Sequence, residues 1–138
     1  MTDRHTAGRQ KVILDTNFLL IPGQFKVDIF SEIDRIMPGK YDLCVIDRTL
    51  DELEGIINSG EASGADKAAA KLAKALIKAK QIPALKTEKN LNVDNLIKKQ
   101  ALQGGYIVAT QDRALKSALK EKNIPLIVLR QKKHLKLL

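Results

Sequence analysis

Short apolar runs alternate with helix-patterned segments along this chain, and four of the junctions that follow an apolar run carry a carboxylate. Lys11 to Leu14 (KVIL) ends abruptly in Asp15-Thr16-Asn17, as a buried strand entering a polar turn does. Val27, Ile29, Phe30, Ile33, Ile36 and Met37 then recur at near-helical spacing until Pro38-Gly39 stops them. Tyr41 to Ile46 (YDLCVI) reads as a second strand. Asp47 is placed to cap the next helix, which carries Leu50, Glu52, Leu53, Ile56 and Ile57. Ser63-Gly-Ala-Asp66 resembles a capping box before the Ala-, Leu- and Lys-rich segment up to Lys80. Ile82 to Leu85 is a strand weakened by Pro83, and a helix over Asn92 to Leu102 follows it, carrying Asp94. Tyr106 to Ala109 (YIVA) precedes Asp112 and a helix with Ala114, Leu115, Ala118 and Leu119, and Leu126 to Leu129 (LIVL) is the last strand. The alternation predicts a three-layer α/β/α domain with a mainly parallel sheet of about five strands. It places one domain over residues 11–130, between a flexible polar segment (1–10) and a basic tail (131–138). A chain of 138 residues fits that single unit.

Composition narrows the chemistry. Lys and Arg exceed Asp and Glu by 24 − 16, a net charge of +8, which points to a polyanionic partner. The one cysteine, Cys44, excludes an internal disulfide and a cysteine-cluster zinc site, and Cys44 itself reads as a small buried hydrophobe. His5 and His134 are too far apart in sequence to suggest a histidine-rich metal site. No apolar stretch approaches the ~18–20 residues of a membrane span, and Met1 to Gln10 lacks the apolar core of a signal peptide. The expectation is a soluble cytoplasmic protein whose chemistry rests on carboxylates, hydroxyls, amides and cations.

In open parallel sheets the working site lies outside the carboxyl ends of the strands. Asp15, Glu52, Asp94 and Asp112 each follow a strand, so the topology can bring all four to one edge. Singly, each has an ordinary reading: an Asx turn for Asp15, helix capping or helix-dipole stabilisation for Asp94 and Asp112, surface charge for Glu52. Together they repel unless a cation neutralises them. Oxygen donors without convergent His or Cys suit Mg²⁺ or Mn²⁺. An acidic metal site in a basic chain fits a nuclease: the cations hold a phosphodiester backbone, and the acids hold the ion that assists its hydrolysis.

Val12-Ile-Leu-Asp15-Thr-Asn17-Phe18, Thr49-Leu-Asp-Glu52-Leu53, Val93-Asp94-Asn95 and Ile107-Val-Ala-Thr110-Gln-Asp112-Arg113 occur in the order and approximate spacing of a PIN domain. The resemblance runs from about Lys11 to Leu129. It implies a parallel α/β sheet and a Mg²⁺- or Mn²⁺-dependent endoribonuclease, either a VapC-type toxin or an enzyme of ribosomal RNA processing. It places the acidic quartet on Asp15, Glu52, Asp94 and Asp112, with Asn17 and Thr110 as the polar residues that orient the first and last acids. Many PIN domains carry a further acid two residues after the last Asp. Ala114 stands there in this chain, which implies one firmly held ion and a second recruited by substrate phosphate. The implied partners are RNA, an antitoxin or ribosome-assembly protein, and a second copy of the chain. The competing reading is a non-catalytic RNA-binding or assembly module of the same fold.

Lys67, Lys71, Lys74 and Lys78 are spaced to share one helix face, either as an RNA-guiding stripe or as a solvated surface. Lys132, Lys133, His134 and Lys136 form a C-terminal basic cluster, and Arg113 adjoins Asp112 within reach of a phosphate. With Tyr41, Tyr106 and three Phe as the aromatic set, a base-stacking platform is not expected, and backbone contacts should dominate.

Overall fold

The computed structural model of the chain describes residues 9–138, and the expected flexible segment falls mostly outside that range. Six strands form one sheet: β1 (Gln10–Leu14), β2 (Tyr41–Ile46), β3 (Ala84–Leu85), β4 (Tyr106–Ala109), β5 (Leu126–Arg130) and β6 (His134–Leu137). Their order is β3-β2-β1-β4-β5-β6. All neighbouring pairs are parallel except β5 and β6. The chain winds outward from β1 through β2 to β3, then returns to the other side of β1 at β4. The topological switch point therefore lies between β1 and β4, where ligand crevices form in sheets of this kind.

Strand residues alternate between the two faces. Val12, Leu14, Val45, Ile107, Ala109 and Ile127 face one apolar layer; Ile13, Cys44, Ile46, Tyr106, Val108, Leu126 and Val128 face the other. The first layer holds α1 (Thr16–Leu19), α2 (Ile21–Phe25), α3 (Ile29–Ile36), α4 (Asp47–Asn58) and α5 (Gly64–Ala79). The second holds α6 (Val93–Ala101) and α7 (Arg113–Glu121). The three-layer α/β/α architecture read from the sequence is the one observed, and among the described residues no helix is long and apolar enough to cross a membrane.

The structure departs from the sequence reading in four places. The expected tail contains β6, so the sheet has six strands: Leu135 and Leu137 alternate into the core while His134 and Lys136 face outward. Pro22 and Gly23, read as breaks, lie inside α2. Pro22 occupies its first turn, where a missing N–H costs nothing. Gly23 is required there, because a Cβ would sit 2.6 Å from the Cα of Ala69 and hold α2 off α5. Asp47 is the first residue of α4 rather than the one before it; its carboxylate accepts from the Arg48 amide at 2.9 Å and also from the Thr87 amide and hydroxyl, which ties down the chain after β3. At the start of the domain, Arg9 pairs with Asp42 at 2.7 Å and Gln10 already belongs to β1.

Candidate active site

At the carboxyl edge of the sheet, β1 and β4 deliver their next residues side by side. The Asp15 amide donates to the Ala109 carbonyl at 2.9 Å, so the two chain exits remain paired beyond the strands. Asp15 is 3% exposed. Its two carboxylate oxygens are held separately: Oδ1 accepts from the Thr16 amide at 2.8 Å, and Oδ2 from the Thr110 hydroxyl at 2.6 Å. The same Thr110 oxygen accepts from the Asp112 amide at 3.0 Å. Thr110 thereby fixes both the first and the last acid. Asp112 caps α7, accepting from the Leu115 amide on Oδ1. Asn17 bonds the same turn through its side-chain oxygen, which accepts from the Gln111 amide at 3.2 Å.

Glu52 projects from α4, and its Oε1 accepts from the Thr16 hydroxyl at 2.5 Å. Asp94 sits one residue inside α6. Asn92 caps that helix, so capping makes no demand on the Asp94 carboxylate. Asp15, Glu52, Asp94 and Asp112 all line one cleft of about 750 Å³, together with Thr16, Asn17 and Glu61. The sequence reading omitted Thr16, which ties Asp15 to Glu52, and Gln111, which locks Asn17. Both adjoin the motif residues but have the look of turn filler in the linear sequence. Ala114 is exposed and does not line the cleft.

Burial and mutual repulsion of the acids dominate the electrostatics of the cleft. Burial pushes the Asp15 carboxyl up to about 6, although hydrogen bonds from Thr110 and Thr16 pull the other way; Asp94 and Glu52 add to the rise. Burial, then the charges of Asp112 and Glu52, hold Asp94 above the usual carboxylate range. Among the described residues no Lys or Arg lines the cleft. Hard oxygen donors lacking a side-chain counter-charge fit a divalent cation of the Mg²⁺ or Mn²⁺ type. They stand as an open set: among the described residues no three Asp, Glu, His or Cys side chains form a ready-made cage.

The raised Asp15 pKa makes a prediction for the metal-free protein. An acid that holds its proton more tightly folded than unfolded stabilises the fold below about pH 4, and that stability is lost as pH rises through 6. The difference from the ordinary 3.8 corresponds to about 3 kcal/mol. In chelator, this contribution should lower thermal melts between about pH 4 and pH 6, and Asp15→Asn should remove it. Replacing Thr110 by Val removes the hydroxyl that serves both Asp15 and Asp112. Losses of about 10–100-fold in metal affinity are expected for such supporting groups, measurable by Mn²⁺ titration.

The basic residues are dispersed. Lys67, Lys71, Lys74 and Lys78 lie on α5, on the first face of the sheet, and Lys74 pairs with Glu54 of α4. Lys132 stands 5.7 Å over the Phe25 ring, and with Lys133 it borders Asp28 and Glu32. Arg113 is exposed and lines a neighbouring groove rather than the cleft itself. Cys44 is buried, its thiol pushed by burial up to about 11, as suits a core residue. A larger depression of about 910 Å³ lies under the start of β2, away from the quartet.

Fold and cleft define a class: a doubly wound α/β domain with a carboxylate cleft at its switch point. A family profile described as a PIN like domain matches residues 12–132, and the chain belongs to that family. It is similar to Ribonuclease VapC4 of Methanocaldococcus jannaschii, with 33% identity over 124 residues covering 90% of this chain and 93% of the relative. A solved structure described as the PIN domain endonuclease Utp24 superposes with a TM-score of 0.75 at 26% identity, covering 92% of this chain and 90% of the other.

Proposed function

We propose that the chain is a metal-dependent endoribonuclease whose active site is the cleft of Asp15, Glu52, Asp94 and Asp112. The observation that carries this reading is the convergence of four carboxylates from four strand–helix units on one cleft that no described Lys or Arg lines. The likeness to proteins named as a ribonuclease and a PIN endonuclease supports RNA as the substrate.

The quartet would hold Mg²⁺ or Mn²⁺, and a bound ion supplies positive charge against the phosphate and makes water more acidic. The chain's own residues supply the rest. Asp15, clamped on both oxygens, is the rigid anchor. Thr16 couples it to Glu52, and Thr110 couples it to Asp112, so the acids keep their relative positions when substrate enters. Glu52 and Asp112 each have one carboxylate oxygen that accepts no bond from the described residues, which leaves either able to take a proton from water. Addition of water to phosphorus with cleavage of the P–O3′ bond leaves a 3′-hydroxyl and a 5′-phosphate.

End analysis of the fragments tests the reading. Products with 5′-phosphate ends are expected, and a 2′-deoxy sugar at the scissile position should still be cut. Products ending in 2′,3′-cyclic phosphate would contradict water as the nucleophile. Salt-sensitive RNA binding with no cleavage in Mn²⁺ or Mg²⁺ would favour the binding-module alternative. Whether the chain acts as a toxin held by an antitoxin or as a ribosomal RNA-processing enzyme turns on its partners. A co-purifying antitoxin peptide supports the first, and association with pre-ribosomal particles the second.

A further inference from the structure

On the second face of the sheet, α7 and the β5–β6 edge enclose a groove of about 220 Å³. Arg113, Lys116 and Lys120 line it from α7, and Arg130 from β5. Arg130 shares strand parity with Leu126 and Val128, which pack with Leu115 and Leu119 of α7, so its side chain lies on that face. Residues directly opposite in an antiparallel pair point the same way. Lys136 stands opposite Val128, and His134 opposite Arg130. The last strand thus adds its outward residues to the same flank.

The cations on this flank have no carboxylate side chain beside them: among the described residues no Asp or Glu side chain lines the groove, and none of its four cations forms an ion pair. Of the rival stripe on α5, Lys74 has a carboxylate partner in Glu54, while Lys67, Lys71 and Lys78 have none among the described residues; what sets the α7 flank apart is that its cations gather in one groove. Like charges gathered in one groove repel, and a polyanion relieves that repulsion. The groove begins at Arg113, the residue after Asp112, and Arg113 to Lys120 spans ~10 Å at ~1.5 Å per residue. That length matches about three stacked nucleotides at ~3.4 Å each. No aromatic side chain lines it, so it offers contacts to phosphates and none for base stacking.

We propose that this flank is the track along which the phosphate backbone of single-stranded RNA leaves the cleft, in place of the α5 lysine stripe on the opposite face. The proposal rests on the ribonuclease reading for its ligand, yet it is testable without cleavage. Binding is measured in EDTA with fluorescent 20-nucleotide RNAs of unrelated sequence, across a salt series, using the full chain. Lys116→Glu with Lys120→Glu is expected to weaken binding more than tenfold at low salt for every sequence. Two lost contacts should lower the slope of log K against log salt by about 1.4. Lys116→Gln with Lys120→Gln, which spares Lys116 a reversed charge in its half-buried position, should give a smaller loss in the same direction. Circular dichroism establishes that each variant is folded.

An unchanged slope in folded α7 variants overturns the proposal. So does loss of binding through Lys71→Glu with Lys78→Glu on α5 while the α7 variants bind normally, or a wild-type chain without salt-dependent RNA binding. Cleavage by the wild type is scored separately. A chain that cuts RNA but ignores α7 reversal loses the track alone; a chain that binds through α7 but never cuts loses the ribonuclease reading alone.

Discussion

Asp15→Asn is expected to lower RNA cleavage by about a hundredfold or more while the protein stays folded. Losing a group that merely supports a metal ligand costs about 10–100-fold, so losing the clamped anchor itself should cost at least the upper end. The fold survives because the amide keeps one local bond and reverses the other. Its oxygen can accept from the Thr16 amide, as Asp15 Oδ1 does at 2.8 Å, and its nitrogen can donate to Thr110 Oγ1, the hydroxyl that donates to Oδ2 at 2.6 Å in the wild type. It also removes a buried charge whose pKa sits at about 6, so in chelator at neutral pH the variant should melt at or above the wild type. Lower activity with equal or higher stability separates a functional carboxylate from a structural one. Full activity in this variant would remove the assignment.

Phe18→Ala should cost about 3–5 kcal/mol, the range for emptying a fully buried aromatic site. Phe18 is 0% exposed and belongs to the first apolar layer. It follows Asn17 on α1, so it anchors the short helix that carries Thr16 and Asn17 into the cleft. A cavity there loosens the elements beneath the site, and the four-residue α1 has too few hydrogen bonds to hold itself. For a domain of this size the loss is a drop of roughly 10–20 °C in Tm. A drop of a few degrees would mean that the site rests on other contacts.

Much of this was legible because strand ends and acids are local signals. KVIL-Asp15 and YIVATQ-Asp112 each carry a complete strand and its exit in consecutive residues, and both land on the switch point between β1 and β4. β6 was hidden for a physical reason. Its period-2 pattern is four residues long, and the β5–β6 turn places Gln131 and Lys132 in the left-handed region, where Asn or Gly would have marked a hairpin. The start of α2 was hidden because Pro22 reads as a break unless its place in the first turn is known. The links within the site were hidden because they span the chain: Thr110 to Asp15 joins residues 95 apart, and Thr16 to Glu52 joins residues 36 apart. The basic residues were the least legible. Their sequence spacing favoured Lys67, Lys71, Lys74 and Lys78, yet Lys74 is paired, while the groove cations come from α7 and β5.

The most direct test compares wild-type protein and Asp15→Asn on one end-labelled single-stranded RNA, each with Mn²⁺ or Mg²⁺ and each with EDTA. Cleavage is predicted only where the metal and the Asp15 carboxylate are both present. Cleavage that persists in EDTA and in Asp15→Asn would contradict it, as would an inert wild type in both metals.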